Sequence, residues 1–438
     1  MATFSTGATT RTTALSTFKE ILAPRIAELV PQKTKAFSIF SKSKETNVGG
    51  KYWREPFRSA ANQAAGISIA ENELLPLGVA NTFSEWQISP KYMYGAYSIS
   101  GPALRSATGG QNSWMKQLKY EADALQNAFI KRFSIYLYGI GTGLVGRVTG
   151  TSGADILQLR RTGYDASNGR LNPGAKWIQV GDRIAVHSGL AGAVRGVATV
   201  TAIDEDAATP TVTCETAFPA NSADGDGVYI AVTGQTTSTL NATPMGLTGI
   251  CDDGTLVATF QNITRSGNIH SQGIVMANAG TLRSITTSLF QQANDKIRRK
   301  SGGTSGFEGA DLILMSDLTR QEYVSLLESD VRFQPQTFKG GHISSRLSFA
   351  YGERDLPIDV DIDCPEFTVY FLNKETLKYY EMYPLQVLDD DGIDILRSTA
   401  GYDAYEARMG WAGQFGCNQP QANCILTDLS VSGVSQAT

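Results

Sequence analysis

The sequence predicts an α+β fold, and three stretches carry that expectation. Residues 112–140 sustain one helical periodicity, residues 81–97 alternate with the period of a strand, and residues 156–232 hold a dense series of short strand signals. After a Thr/Ser/Gly-rich join at 233–243 the pattern becomes mixed α and β. With 438 residues the chain is too long for one ordinary core, so two or three packed regions are expected.

The long helix organises the rest. Trp114, Leu118, Ala122, Leu125, Phe129, Phe133 and Tyr136 fall at three- and four-residue steps, so they share one face. Asn112 or Ser113 can cap the first turn, and the glycines from Gly139 onward stop the helix. At 1.5 Å per residue it would be roughly 40 Å long, a strut that something large must lie along.

Taken in order, residues 1–16 are Thr, Ser, Ala and Gly with little to bury and read as a mobile arm. Phe18, Ile21, Leu22, Ile26, Leu29 and Val30 then share a helical face, interrupted by Pro24 and ended by Pro31. Between residues 47 and 100 the pattern suits a β-ribbon. Trp86, Ile88, Tyr92 and Tyr94 alternate with Glu85, Gln87, Ser89 and Lys91, and the partner arm is residues 50–58. A long two-stranded ribbon is unstable alone in water, so it needs a surface that the chain itself does not obviously provide.

After the strut come Gly139, Gly141, Gly143, Gly146 and Gly150, and then strand candidates at 177–180, 183–188, 196–203, 211–213 and 228–232. Their spacing and turn signals suit a small barrel or sandwich, read as an inserted β-domain. Residues 278–300 read as a second amphipathic helix, with Leu282, Ile285, Leu289, Ala293 and Ile297 inward and Arg298, Arg299 and Lys300 at its C-terminal end. The apolar run 310–315 reads as a buried strand. The short helix after it would start at a capping box of Thr319 and Glu322, with Leu318 and Tyr323 as the hydrophobic staple. Strands follow at 356–362, 367–372, 379–383 and 403–414.

Possible chemistry is weighed against plainer readings. Gly141-Thr-Gly-Leu-Val-Gly146 has the GxGxxG spacing but leaves a helix instead of a strand, so it reads as a helix stop and joint. Asp224-Gly-Asp226-Gly resembles part of a calcium loop but precedes a strand, and reads as a turn. Asp359, Asp361 and Asp363 would share a strand face, and Asp389, Asp390 and Asp391 form an acidic run; either could hold a cation between subunits, against a solvated face. His187, His270 and His342 lie far apart, without ligand spacing or an indicated partner for base catalysis. No GxSxG, HExxH or Walker-type signature occurs. No catalytic residue, metal site or cofactor is therefore assigned, and an enzyme is not expected.

Formal net charge is −4, from 38 basic and 42 acidic residues, so no global field draws the chain to nucleic acid or membrane. Cys214, Cys251, Cys364, Cys417 and Cys424 are odd in number and never spaced as CxxC, which suggests free thiols in a reducing compartment. No run approaches the length of a membrane span, and the N-terminus lacks the pattern of an export signal.

The order of elements resembles that of the major capsid proteins of tailed bacteriophages, a shell fold shared with encapsulins. The residues that carry the likeness are ADLILMSDLTRQEYVSLLE and LPIDVDIDCPEFTVYFLNKETLKYYE, within 310–383, with their Asp-x-Pro-like turn and Leu-Asn pair, and the ribbon's return at 86–107. The resemblance implies an arm with a short helix at 1–46, an extended β-ribbon loop at 47–100 and a peripheral domain with a spine helix at 101–150. It further implies an inserted β-rich domain at 151–240, an axial domain with parts of the peripheral domain at 241–400, and a C-terminal return at 401–438. The implied function is an icosahedral shell of pentamers and hexamers enclosing double-stranded DNA, in the virion and assembled in the host cytoplasm. Implied partners are copies of the chain itself, scaffolding and portal proteins, with no membrane. Some members crosslink the extended loop through a lysine; Lys51 lies in the ribbon but aligns with no crosslinking position. The alternatives are an encapsulin-type compartment and a β-rich tail or adhesin-like protein, the latter opposed by the long amphipathic helices.

Overall fold

The computed structural model describes residues 35–43, 51–60, 78, 80–102, 113–150, 155–160, 174–205, 209–216, 222–231, 238–301, 309–328, 347–351, 354–388, 397–398 and 401–430. The expected N-terminal arm and first amphipathic helix, the Asp389–Asp391 run and His342 lie outside these residues.

The longest strand and the longest helix of the described chain form one layered unit. The helix α2 (Ser113–Tyr136) follows a one-turn helix α1 (Lys35–Ile39). Its described apolar stripe is buried at Ala122, Phe129, Phe133 and Tyr136, as the periodicity requires. It lies on a five-stranded sheet centred on β20 (Ala404–Cys417), which pairs antiparallel with β18 (Leu377–Val387) on one side and β4 (Lys91–Ser100) on the other. Phe133 meets Trp411 edge-on at 4.7 Å between ring centroids. Helix and strand come so close at Gly95 that an added Cβ would sit 2.5 Å from the Phe129 ring. The short strands β1 (Ser41–Lys42) and β19 (Arg397–Ser398) complete this sheet.

The ribbon differs from expectation in two ways. Residues 81–97 are not one arm: β3 (Thr82–Ile88) pairs with β2 (Trp53–Ala60), whereas β4 crosses to β20. Ser89-Pro90 separates them, because proline donates no ladder hydrogen bond, and the inward parity switches there. Trp86 and Ile88 are buried, while Tyr92 and Tyr94 face outward, 50% and 61% exposed. The ribbon's root is also covered by its own chain. Phe57 stacks on Trp86 at 4.4 Å, Trp86 meets Phe260 edge-on, and Trp53 lies against Tyr380.

After α2 the chain turns through Gly141 and Gly143, both at φ +83°, into β5 (Leu144–Arg147). A six-stranded sheet follows in the order β5, β10 (Gly227–Ile230), β7 (Arg183–His187), β8 (Val194–Asp204), β9 (Thr211–Cys214), β6 (Ile156–Gln158). Its two edges meet: Val148 bridges Leu159, and the Thr149 amide donates to the Gln158 carbonyl at 2.9 Å. The sheet is thus a closed barrel. Val145, Leu157, Ile184, Val186, Val200, Val212 and Val228 fill it, and they are contiguous with the core beneath α2. The expected strand at 177–180 is a turn instead, with Trp177 and Ile178 buried against that same core.

The third sheet has the order β13 (Ile274–Met276), β21 (Cys424–Leu426), β17 (Val369–Leu372), β14 (Leu312–Met315), β16 (Arg354–Val360), β15 (Ser348–Tyr351). It has its own core with the helices α4 (Thr287–Ser301) and α5 (Asp317–Glu328), where Phe290 stacks on Tyr323 and meets Phe371 edge-on. The short α3 (Leu247–Cys251) precedes them. The expected helix at 278–300 begins only at Thr287. Ala279 and Gly280 take positive φ, and Asp428 accepts the amides of Asn278 and Gly280, so this stretch is a turn before Thr286 Oγ1 accepts the Leu289 amide as a cap. The cap of α5 is likewise Ser316, whose Oγ accepts the Thr319 amide at 3.3 Å; Thr319 is buried inside the helix, one turn later than a capping box at Thr319 and Glu322 would place it.

Candidate functional site

The residues singled out for chemistry are mostly built into the framework. The glycine loop at 141–146 leaves α2 and enters β5 instead of opening a helix, and an added Cβ at Gly143 would meet the Thr239 carbonyl at 2.7 Å. Asp226 is buried and accepts the amides of Gly189 and Ala223, both at 2.8 Å, while Arg195 Nε lies 2.7 Å from its Oδ2. Its oxygens are thus occupied by the turn. His187 is buried between the Gly192 carbonyl and Ser238 Oγ. His270 Nε2 donates to the Ser59 carbonyl at 2.9 Å and ties the ribbon to the 259–271 segment.

The three aspartates do not share a strand face. β16 ends at Val360, and Asp361 and Asp363 lie in the following turn, both buried. Asp363 pairs with Lys131 of α2, accepts Ser134 Oγ at 2.5 Å, and offers its backbone carbonyl to the Trp177 indole at 3.1 Å. Lys176 approaches Glu366 at 3.4 Å, and Arg132 pairs with Asp182. These contacts join α2, the barrel and the β16–β17 turn. Among the described residues no three His, Cys, Asp or Glu side chains converge as a metal site would need.

A second polar centre holds the hairpin that carries the ribbon. Asp252 and Arg265 are both 0% exposed, 3.2 Å apart. Asp252 Oδ2 also accepts the amides of Gly254, Leu256 and Val257, and Arg265 Nη2 donates to the Gly249 and Ile250 carbonyls. Burial pushes the guanidinium's pKa down while Asp252 opposes that shift. The pair fixes the hairpin of β11 (Thr259–Phe260) and β12 (Ile263–Thr264), and from it the Gln261 carbonyl accepts the Gln87 amide and Asn262 Nδ2 donates to Gln87 Oε1. Sequence gave no sign of this pair, because neither residue stands in a motif.

The exposed large hydrophobics include four aromatics, Phe83, Tyr92, Tyr94 and Tyr402. Tyr92 and Tyr94 stack in parallel on the outer face of the five-stranded sheet, with Tyr383 Oη 3.3 Å from Tyr94 Oη. Phe83 on the ribbon is 67% exposed, Ile362 is 68% and Tyr402 is 76%. Large exposed aromatics and aliphatics at several places mark contact surfaces better than any enclosed cleft does. No helix among the described residues is long and apolar enough to cross a membrane.

The mixed α and β fold, with a long helix on a long-stranded sheet and a second sheet with flanking helices, is similar to that of phage capsid chains. A chain of the cyanophage A-1(L) capsid asymmetric unit is similar over 89% of this chain and 90% of its own, at 13% identity and a TM-score of 0.50. A chain from the capsid of the native GTA particle is similar over 90% of this chain and 89% of its own, at 11% identity and a TM-score of 0.42. For the capsid of Myoviridae phage XM1 the corresponding values are 89%, 89%, 8% and 0.42. No protein-family model and no curated protein matches the chain. The resemblance read from the sequence is therefore borne out at the level of fold.

Proposed function

We propose that this chain is the major capsid protein of a tailed bacteriophage, and that copies of it assemble into an icosahedral shell of pentamers and hexamers around double-stranded DNA. The observation that carries the reading is the similarity to the cyanophage capsid chain, which spans nine-tenths of both chains. In this reading residues 1–46 are an arm, 47–100 the extended loop, 101–150 a peripheral domain with α2 as its spine, 151–240 an insertion, 241–400 mainly the axial domain, and 401–438 the return to the periphery. The chain acts as a structural protein without catalysis. Scaffolding and portal proteins are its further partners, and assembly takes place in the host cytoplasm.

The exposed aromatics support this reading, since they are costly on a monomer and are covered when copies pack together. The test is negative-stain imaging of the purified chain, expressed alone or with its scaffolding protein. Closed or partly closed shells with fivefold and sixfold clusters are expected. Monomers at every concentration, together with a titratable small-molecule activity, would overturn it.

A further inference from the structure

The helix α4 carries an unusual concentration of one charge. Lys296, Arg299 and Lys300 stand at i, i+3 and i+4, which places them on one face, and all three are exposed. None of them has an ion-pair partner among the described residues. Several cations elsewhere are engaged: Lys131 with Asp363, Arg132 with Asp182, Lys176 with Glu366, and Arg195 with Asp226. The only acid in α4 is Asp295, and it accepts the hydroxyl of Tyr351, while Arg298 lies over the same ring at 5.9 Å from its centroid. The neighbouring face of the helix is held down by Phe290, Ala293 and Ile297, so the cations are presented on a rigid element at the margin of its buried stripe.

Attraction to the negative end of the helix dipole accounts for cations in the last turn. It does not account for Lys296, a turn earlier, in a helix whose one acid, Asp295, is engaged by Tyr351 and in a chain of net charge −4. Lys296 to Lys300 spans about 6 Å of helix axis. Duplex DNA carries one charge per ~1.7 Å of its axis, so that span faces roughly three or four phosphates.

We propose that the outer face of α4, through Lys296, Arg299 and Lys300, is a contact surface for the phosphate backbone of double-stranded DNA, without sequence preference. It rests on the shell reading, in which DNA is the polyanion present at high concentration against one side of the plate. Three point contacts on each copy would hold DNA weakly and repeatedly across a shell without a globally basic surface.

The experiment uses the full chain and a labelled 30-base-pair duplex of arbitrary sequence, with anisotropy read from 50 to 200 mM salt. The K296Q/R299Q/K300Q variant should lower the slope of log affinity against log salt by about 2.7, which shrinks the affinity change across that range by roughly 40-fold. The charge-preserving K296R/R299K/K300R variant should behave as the wild type. The single K296Q, on an exposed mid-helix position, should lower the slope by about 0.9 and guards against misfolding of the triple variant. Equal slopes for wild type and K296Q/R299Q/K300Q, no binding by the wild type, or stronger competition by polyglutamate than by unlabelled duplex would overturn the proposal. Imaging the same preparations separates the two readings: shells with unchanged DNA binding defeat only this one, and charge-dependent DNA binding without shells defeats only the proposed function.

Discussion

Lys131 on α2 and Asp363 in the turn after β16 form an ion pair across 232 residues of sequence, and the same Asp363 holds the barrel through Trp177. The Lys131 side chain is 29% exposed and that of Asp363 only 7%. Replacing Lys131 by Met would leave a buried carboxylate with Ser134 as its remaining side-chain donor. The expected cost is about 2–3 kcal/mol, below the usual range for a fully buried pair because Lys131 is partly wet. It is read as a lower urea midpoint at constant slope, and adding Asp363→Asn should cost less than the two single changes summed.

Gly246 tests how closely the chain is packed at the end of α2. A Cβ there would lie 2.5 Å from the Tyr136 carbonyl and 2.6 Å from those of Leu137 and Gly139. Backbone atoms cannot rotate away as a side chain can. Gly246→Ala should therefore lower stability by about 1–3 kcal/mol, measured by denaturant unfolding, and Gly181→Ser, where a Cβ meets nothing within 4 Å but φ is +92°, should cost less.

The ribbon's root is an ordinary small core. Trp86 is 1% exposed between Phe57 and Phe260. Trp86→Ala should cost about 3 kcal/mol and free the ribbon before the rest unfolds. Limited proteolysis should then cut within 51–60 or 80–88 well before any cut in the barrel; simultaneous cutting of both would contradict this.

The five cysteines are buried and free, and burial pushes Cys214 up to about 11 and Cys417 and Cys424 up to about 12 from an ordinary 9.0. A raised thiol pKa means that the folded state holds the proton more tightly than the unfolded chain. The resulting stability is present below pH 9.0 and drains away as pH rises toward 11 and 12. Unfolding midpoints should be flat from pH 7 to 8.5 and fall above pH 9, and a thiol reagent at pH 8 should label the native chain hardly at all until denaturant is added.

The sequence made the periodic elements legible. α2 and the strands β16, β17, β18 and β20 lie close to where their patterns put them, because each sets apolar residues on a core, β17 on both of its faces. Parity across Ser89-Pro90 misled, since the alternation of Trp86, Ile88, Tyr92 and Tyr94 continues through a proline that sends the strand to another partner. Helix starts misled similarly. The apolar spacing from Leu282 onward extends past the true cap at Thr286, because the turn before it buries Ile285 without being helical. The polar centres were invisible. Asp363 and Asp252 find their cations only through the fold, and periodicity says nothing about residues whose partners are set by topology.

The described part of the ribbon is a beam held near both ends. Trp53 rests on Tyr380 at one, and the Ser59 carbonyl accepts the His270 hydrogen bond at the other, about 20 Å further along β2. Two supports fix a direction as well as an origin. The dry Asp252–Arg265 pair holds the 259–264 hairpin, which meets the ribbon at Gln87, opposite Arg54 and so between those supports, and thereby sets the line along which the ribbon runs.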